Sequence, residues 1–198
     1  MEKKNERLEK QMNFALEIDK AKNIFRQTHL SDKGRKENDA EHSWHMAIMA
    51  YVLKEYSNEE IDILKVILMC LIHDIVEILA GDTYAYDEEN IKTQEKRENS
   101  AKEEIFSLLP ENQRNEFISL FDEFNEGKTA EAKFAKTMDN LQPVMLNDSN
   151  DGMDWIEHAI HKDQVLQRQA ISQEGSTILY DYTMHILDEN TKQGNLIS

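Results

Sequence analysis

Chain-breaking residues are scarce in this protein: two Pro and six Gly in 198 residues. So few breakers leave little room for turn-rich β architecture and predict an all-α fold. Cysteine is scarcer still. The lone Cys70 excludes an intramolecular disulfide and points to a reducing compartment, the cytoplasm. No apolar run approaches the ~18 residues that span a bilayer, and the opening MEKKNERLEK lacks the apolar centre of a secretory signal. Positive charge is also in short supply. Only 23 Lys and Arg face 39 Asp and Glu, a formal net charge of −16. Such a balance disfavours nucleic acid polymers and anionic membranes, which bind Lys/Arg patches. It suits an enzyme whose local positive charge comes from a metal.

The length fits a single domain, residues 1–198, big enough for one substantial core. That core is expected over about 15–146, with C-terminal helices at 155–190 packed on it. No internal repeat or composition break divides the chain. An amphipathic helix is predicted from residue 2 to about 28, with Leu8, Met12, Ala15, Leu16, Ile18, Ile24 and Phe25 as its apolar stripe. A polar loop follows around Gly34. Asp39 is a plausible N-cap for the next helix, which runs to about Tyr56 and buries Trp44, Ala47, Ile48, Tyr51 and Val52. Asn58 is read as the cap of a third helix, and its run Val66 to Ile72 is apolar on nearly all sides, as a central helix would be. Gly81 stops it. Further helices are expected at 88–109, 113–124, 129–146, 163–172 and 175–189, with a frayed tail after them.

The central run ends in His73-Asp74, and Glu77 follows one turn later. Burying ionisable groups beside such a run costs several kcal/mol unless they are paired. A divalent metal is a fitting partner for adjacent imidazole and carboxylate. Glu77 is four residues from His73 and three from Asp74, so a continuing helix puts it on their side. There it is positioned as a general acid or base for a metal-activated water. The competing reading is a His–Asp hydrogen bond closing a helix, with Glu77 in solvent. His42 opens a helix that must pack on the same core, with His45 one turn on as an alternative ligand or a packed neighbour. Asp139 is the fourth candidate. Pro143 falls four residues after it, where its ring should open or kink the helix at the Asp. Two imidazoles and two carboxylates suit Mn²⁺, Fe²⁺, Co²⁺ or Zn²⁺, with Mg²⁺ also open, and leave positions for water and substrate.

The order of these motifs is similar to that of the HD-domain metal-dependent phosphohydrolases: His in Glu41-His42-Ser43, then His73-Asp74 with Glu77, then Gly81-Asp82, then a distant Asp139. Within them, Arg35 to Ser43, His73 to Glu77 and Gly81-Asp82 resemble the 5′-deoxynucleotidase branch. The likeness spans about residues 15–146. It implies a helical bundle with its metal site between helices, a homodimer, and His42, His73, Asp74 and Asp139 as the ligands of one divalent ion. It also implies Glu77 as the catalytic acid/base, Asp82 as an acid in the substrate pocket, and Arg26, with a one-residue offset, as a phosphate contact. Two features depart from that branch: Gly81-Asp82-Thr83 continues with Tyr84 where Pro is common, and Gln27 follows Arg26 where Trp is common. Both bear on sugar selection.

The expected activity is therefore hydrolysis of a small phosphomonoester, a nucleoside 5′-monophosphate, with Arg26 and Arg35 as candidates to hold the phosphate. Asp82 is either an acceptor for a sugar hydroxyl or a cap for the following helix. Hydrolysis of a phosphoanhydride or phosphodiester is the rival enzymatic reading, though extended polyphosphates want more Lys/Arg. A metal-stabilised helical interaction module is the non-catalytic one. His158 and His161 are read as surface residues beside Trp155, and the methionines on apolar stripes as core fill.

Overall fold

The computed structural model describes residues 2–198, and its architecture is all-α with one small two-stranded sheet. Helix α1 covers Glu2–Glu17 and gives way to a tight 3₁₀ segment, Ile18–Asn23. The chain then becomes extended. Strand β1, Phe25–His29, pairs antiparallel with β2, Lys36–Asn38, with Phe25 opposite Asn38 and His29 opposite Lys36. The long first helix expected from periodicity thus ends eleven residues early. Its expected stripe is on the wrong side too: Leu8, Met12, Leu16 and Phe25 are exposed, and Phe14 is the buried anchor, edge-on to Phe117 at 5.6 Å.

Helix α2, Asp39–Leu53, is capped by Asn38, not Asp39. Asn38 Oδ1 accepts from the Glu41 N–H, and Glu41 Oε2 accepts from the Asn38 N–H, a reciprocal capping box. The box leaves the Asp39 side chain free to turn inward, where it is buried. Helix α2 buries Met46, Ala47, Met49 and Ala50, while Trp44, Ile48, Tyr51 and Val52 face out, with Trp44 63% exposed. Of the expected buried face only Ala47 is covered. Both faces are apolar, and the flexible methionines fill the irregular gap against α3 (Ile63–Ile72).

Asp62 caps α3 by accepting from Leu64 N and Lys65 N. Asn58 instead bonds the carbonyls of Gln173 and Glu174, tying this loop to the far end of the chain. Helix α3 is central on one side only, since Leu64, Leu68 and Leu71 are open. After His73 the backbone tightens through Ile75 N→Ile72 O and Glu77 N→Asp74 O bonds into a short helix, α4, Glu77–Ala80, which stops at Gly81 with φ 76°.

Helices α5 (Glu88–Phe106) and α6 (Glu111–Glu126) bury Ile105, Phe106, Phe121 and Phe124, each aromatic ring worth roughly 1.5–3 kcal/mol by area. Helix α7, Ala130–Ser149, starts at Thr129, whose Oγ1 accepts from Ala132 N, and runs on through Pro143 instead of opening there. It touches α2, α3, α6 and the C-terminal helices, and is the spine of the fold. After α8 (Met153–Glu157), helices α9 (Lys162–Gly175) and α10 (Thr177–Gln193) pack against it. The tail is not frayed. Leu196 is buried, and Ile197 bonds Ile160 and Lys162 through the backbone. No helix among the described residues is long and apolar enough to cross a membrane.

The α7–α9 crossing is tightest at Gly175, where an added Cβ would sit 2.2 Å from Thr137 Oγ1 and 2.5 Å from Lys133 O. Gly175→Ala is expected to destabilise the protein by about 1–3 kcal/mol through overpacking against backbone, read as a lower urea midpoint at unchanged slope.

Candidate metal centre and active site

His73 is the C-cap of α3. Its Nδ1–H donates to Cys70 O at 2.9 Å, which fixes the tautomer and leaves Nε2 bare, buried and without a hydrogen-bond partner. His42, from the second turn of α2, is fully buried and held the same way: Nδ1–H donates to Gln142 Oε1 at 3.0 Å. Gln142 is itself oriented, because its Nε2 donates to Glu37 Oε2 at 2.8 Å and to His45 Nδ1 at 3.2 Å. Both imidazoles thus turn Nε2 toward the same point, a second layer of partners setting the direction of each.

Asp139 comes to that point from α7. Its Oδ1 is 3.1 Å from His42 Nε2 and 3.9 Å from His73 Nε2. Single donor atoms of His42, His73 and Asp139 all lie within 4.8 Å of one another. Asp74 closes the fourth side, Oδ1 at 3.0 Å from His73 Nε2 and Oδ2 at 3.9 Å from His42 Nε2. The four residues named from sequence are brought together. An orphaned buried imidazole nitrogen beside a second imidazole nitrogen and two carboxylates fits a divalent transition metal. Burial, then Arg26, lowers His42 to about 4, so it is a neutral imidazole at neutral pH, whereas at His73 the pull of burial is outweighed by Asp74 and the pKa is raised. Burial alone would raise Asp74, but His73 and Arg26 outweigh it and hold the carboxylate at about 2.

Glu77 stands beside this set, buried, with Oε2 unpartnered. Burial, then the carboxylates of Asp74 and Asp39, raises its pKa well above the ordinary value. Asp39 was absent from the sequence reading as a site residue, yet it, Asp74 and Glu77 offer oxygens within 4.8 Å of each other. The available signal was the Asn38-x-x-Glu41 capping box, which relieves Asp39 of the cap. Burial and Asp74 raise Asp39 to about 8. Against these acids lies Arg26 on β1, its NH1 2.9 Å from Asp74 Oδ2 and its Nε 3.6 Å from Glu37 Oε1.

A cavity of about 230 Å³ opens over the cluster, lined by Arg26, His73, Asp74, Glu77, Asp82 and Asp139 among others. Arg35 is not part of it. Its guanidinium grips Glu41 at the exposed start of α2, NH1 to Oε2 at 2.9 Å, so its expected role as a phosphate contact is corrected to support of the capping box. Two cations overlooked in the sequence take its place on the cavity wall: Lys136, one turn before Asp139 on α7, and Arg168 from α9. Neither forms a salt bridge among the described residues, and Lys136 Nζ lies 4.7 Å above the Phe124 ring. The i−3 spacing from Asp139 was the legible signal for Lys136; Arg168 had none.

The crystal structure of a predicted metal-dependent phosphohydrolase from Magnetospirillum magnetotacticum superposes with a TM-score of 0.93 at 44% identity, over 97% of this chain and 96% of that one. The PH0347 protein of Pyrococcus horikoshii, 19% identical, shares the fold with a TM-score of 0.61 over 91% of this chain and 98% of that one. The human 5′-deoxynucleotidase HDDC2 is 34% identical over 113 residues, 56% of this chain and 53% of the human protein, and the mouse protein of the same name is 33% identical over 56% and 54%. The chain spans about half the length of these curated relatives. The HD domain model matches residues 18–178, which includes every one of the buried donors above, and the chain belongs to the HD domain family.

Proposed function

We propose that the protein is a metal-dependent phosphomonoesterase that releases phosphate from a nucleoside 5′-monophosphate. The observation that carries this is the convergence of His42, His73, Asp74 and Asp139 beneath a cavity that also holds Glu77. In this reading those four residues hold one divalent ion, Mn²⁺, Co²⁺, Fe²⁺ or Zn²⁺, with Mg²⁺ a weaker fit to imidazole. When bound, the ion activates water and neutralises phosphate charge.

The chain's own residues account for the remaining work. Glu77, with a bare buried oxygen, takes the proton of the attacking water and returns it to the leaving 5′-oxygen. Burial, then Asp74 and Asp39, raise its proton affinity, so uptake of that proton is favoured. Arg26 offsets the carboxylates and faces the cavity, where its guanidinium can meet a phosphate oxygen. Lys136 and Arg168, which form no salt bridge among the described residues, hold the other oxygens. Asp82 lines the same cavity and accepts from a sugar hydroxyl. The small volume and two free cations suit one phosphoryl group better than an extended polyphosphate, which ranks anhydride or diester hydrolysis lower. The 5′-deoxynucleotidase activity named for the human relative supports a nucleotide substrate, and a deoxyribose preference is part of the proposal.

We further propose one domain and a homodimer, built on the neighbouring apolar rows Trp44, Ile48 and Val52 of α2 and Leu64 and Leu68 of α3, all exposed. Cytoplasmic residence is consistent with the buried thiol of Cys70, which burial pushes up and makes inert.

Four outcomes are expected. Glu77→Gln keeps its metal by elemental analysis but loses about 10²–10⁴-fold in kcat, whereas His73→Ala loses the metal; full activity in metal-loaded Glu77→Gln would remove Glu77 from the mechanism and favour a metal-stabilised interaction module. Arg168→Ala raises KM about ten-fold or more, as loss of a charge-assisted bond worth ~1.5–3 kcal/mol requires, while Arg35→Ala stays within about two-fold because an exposed pair is worth ~0–1 kcal/mol. Phosphate and pyrophosphate assays on the same reactions separate monoester from anhydride cleavage. Sedimentation should give a dimer for the native chain and a monomer for a Trp44→Glu, Leu68→Glu variant.

A further inference from the structure

The cavity does not end at the candidate metal centre. Helix α7 carries it onward: Asn147 lies eight residues beyond Asp139, about 12 Å further along the helix axis, and lines the same cavity. Its side chain is 5% exposed. Nδ2 donates to Pro143 O at 3.0 Å, which sets the amide orientation, because the flipped amide would press two carbonyl oxygens together. Oδ1 is left buried without any partner. An unmet acceptor inside a protein is costly, and one on a cavity wall is met when a ligand brings a donor.

The walls around it are aromatic. Tyr84 and Tyr86, on the loop after Gly81, both line the cavity, their rings edge to face with centroids 5.3 Å apart. His158 backs Tyr84 at 4.8 Å, and both tyrosines pack on the cluster that contains Trp155. Asp154 lines the cavity as well. Its carboxylate is engaged by His29, Oδ2 accepting from the backbone N–H at 3.0 Å and Oδ1 facing Nδ1 at 2.5 Å, and it adds an acceptor-rich, negative edge. A flat heteroaromatic ring with N–H donors on its rim matches this lining. A ring edge made of carbonyls does not, since it would set oxygen against oxygen.

We propose that the Asn147 end of the cavity is a nucleobase subsite that selects amino-bearing bases, with one of the two perpendicular rings of Tyr84 and Tyr86 stacking on the base, the other meeting its edge, and Asn147 Oδ1 accepting from its exocyclic amino group. The proposal rests on the phosphomonoesterase reading of the metal end and adds the identity of the group at the other end. The distance from Asp139 to Asn147 matches an extended nucleotide, with phosphate at one and base at the other. Cytosine and uracil make the sharpest pair, because they differ only along one edge, amino against carbonyl at C4 and bare nitrogen against N–H at N3.

The test is kcat/KM of the metal-supplemented protein on dCMP, dUMP and the base-free 2-deoxyribose 5-phosphate. The native chain should prefer dCMP to dUMP by about ten-fold, the value of one buried hydrogen bond. Asn147→Ala should bring that ratio to about one while leaving 2-deoxyribose 5-phosphate hydrolysis unchanged. Tyr84→Leu, which leaves α7 untouched, should weaken both nucleotides and spare the base-free sugar phosphate. Equal rates on dCMP and dUMP in the native chain, or an Asn147→Ala loss shared equally by the base-free compound, would overturn the subsite and leave a merely structural Asn147. If the native chain hydrolyses none of the three, the phosphomonoesterase reading fails, and calorimetric titration with deoxycytidine and deoxyuridine decides the subsite separately. Tighter deoxycytidine binding upholds it, and equal or absent binding of the two overturns it.

Discussion

Carboxylates that water would keep apart are forced together under one guanidinium. Glu37, Asp39, Asp74, Glu77 and Asp139 come from β2, α2, the end of α3, α4 and α7, and Arg26 on β1 meets three of them directly. Arg26, itself largely out of water, is held firmly charged because Asp74, Asp139, Glu77 and Glu37 overcome the penalty of burial. One cation cannot balance so many acids: burial, and then the crowding of neighbouring carboxylates, raises the pKa values of Glu37, Asp39 and Glu77, and bare oxygens remain on the same three residues. That unbalanced charge is the physical demand for a divalent ion, and the two aimed imidazoles set where it would sit.

The fold serves this demand through α7. A single helix carries Lys136, Asp139, Gln142, Pro143 and Asn147, so that cation, ligand, orienting amide and free acceptor share one rigid ruler. Pro143 withholds an N–H from the Asp139 carbonyl without ending the helix, and its own carbonyl orients Asn147. The close approach at Gly175 holds this ruler against α9, which supplies Arg168. Alignment of the cavity therefore depends on a packing contact remote from any reacting atom.

How much of this was legible without the fold varies by residue. His73, Asp74 and Glu77 were readable because an apolar run cannot end in buried charge without a reason, and their spacing is local. The Asn38–Glu41 capping box is in the sequence too, although Asp39 is an equally plausible cap by residue type. The β-hairpin was missed because Phe25 to His29 is only five residues, too short to separate strand from helix by periodicity. The covered face of α2 was misjudged because Trp44 and Ile48 are as apolar as Met46 and Met49. Hydrophobicity says that a face wants cover, not which partner gives it.

The sequence by itself determined the helical content, through the scarcity of Gly and Pro, and the chemistry available at the end of α3, through residues within one turn of each other. Tertiary structure alone decided that Arg26 meets Asp74 across 48 positions and His42 meets Asp139 across 97, that Arg35 stays outside, and that Lys136, Arg168 and Asn147 share a wall. Local spacing is set by the covalent geometry of a helix. Convergence from distant segments is set by which faces pack, and that is a property of the whole chain.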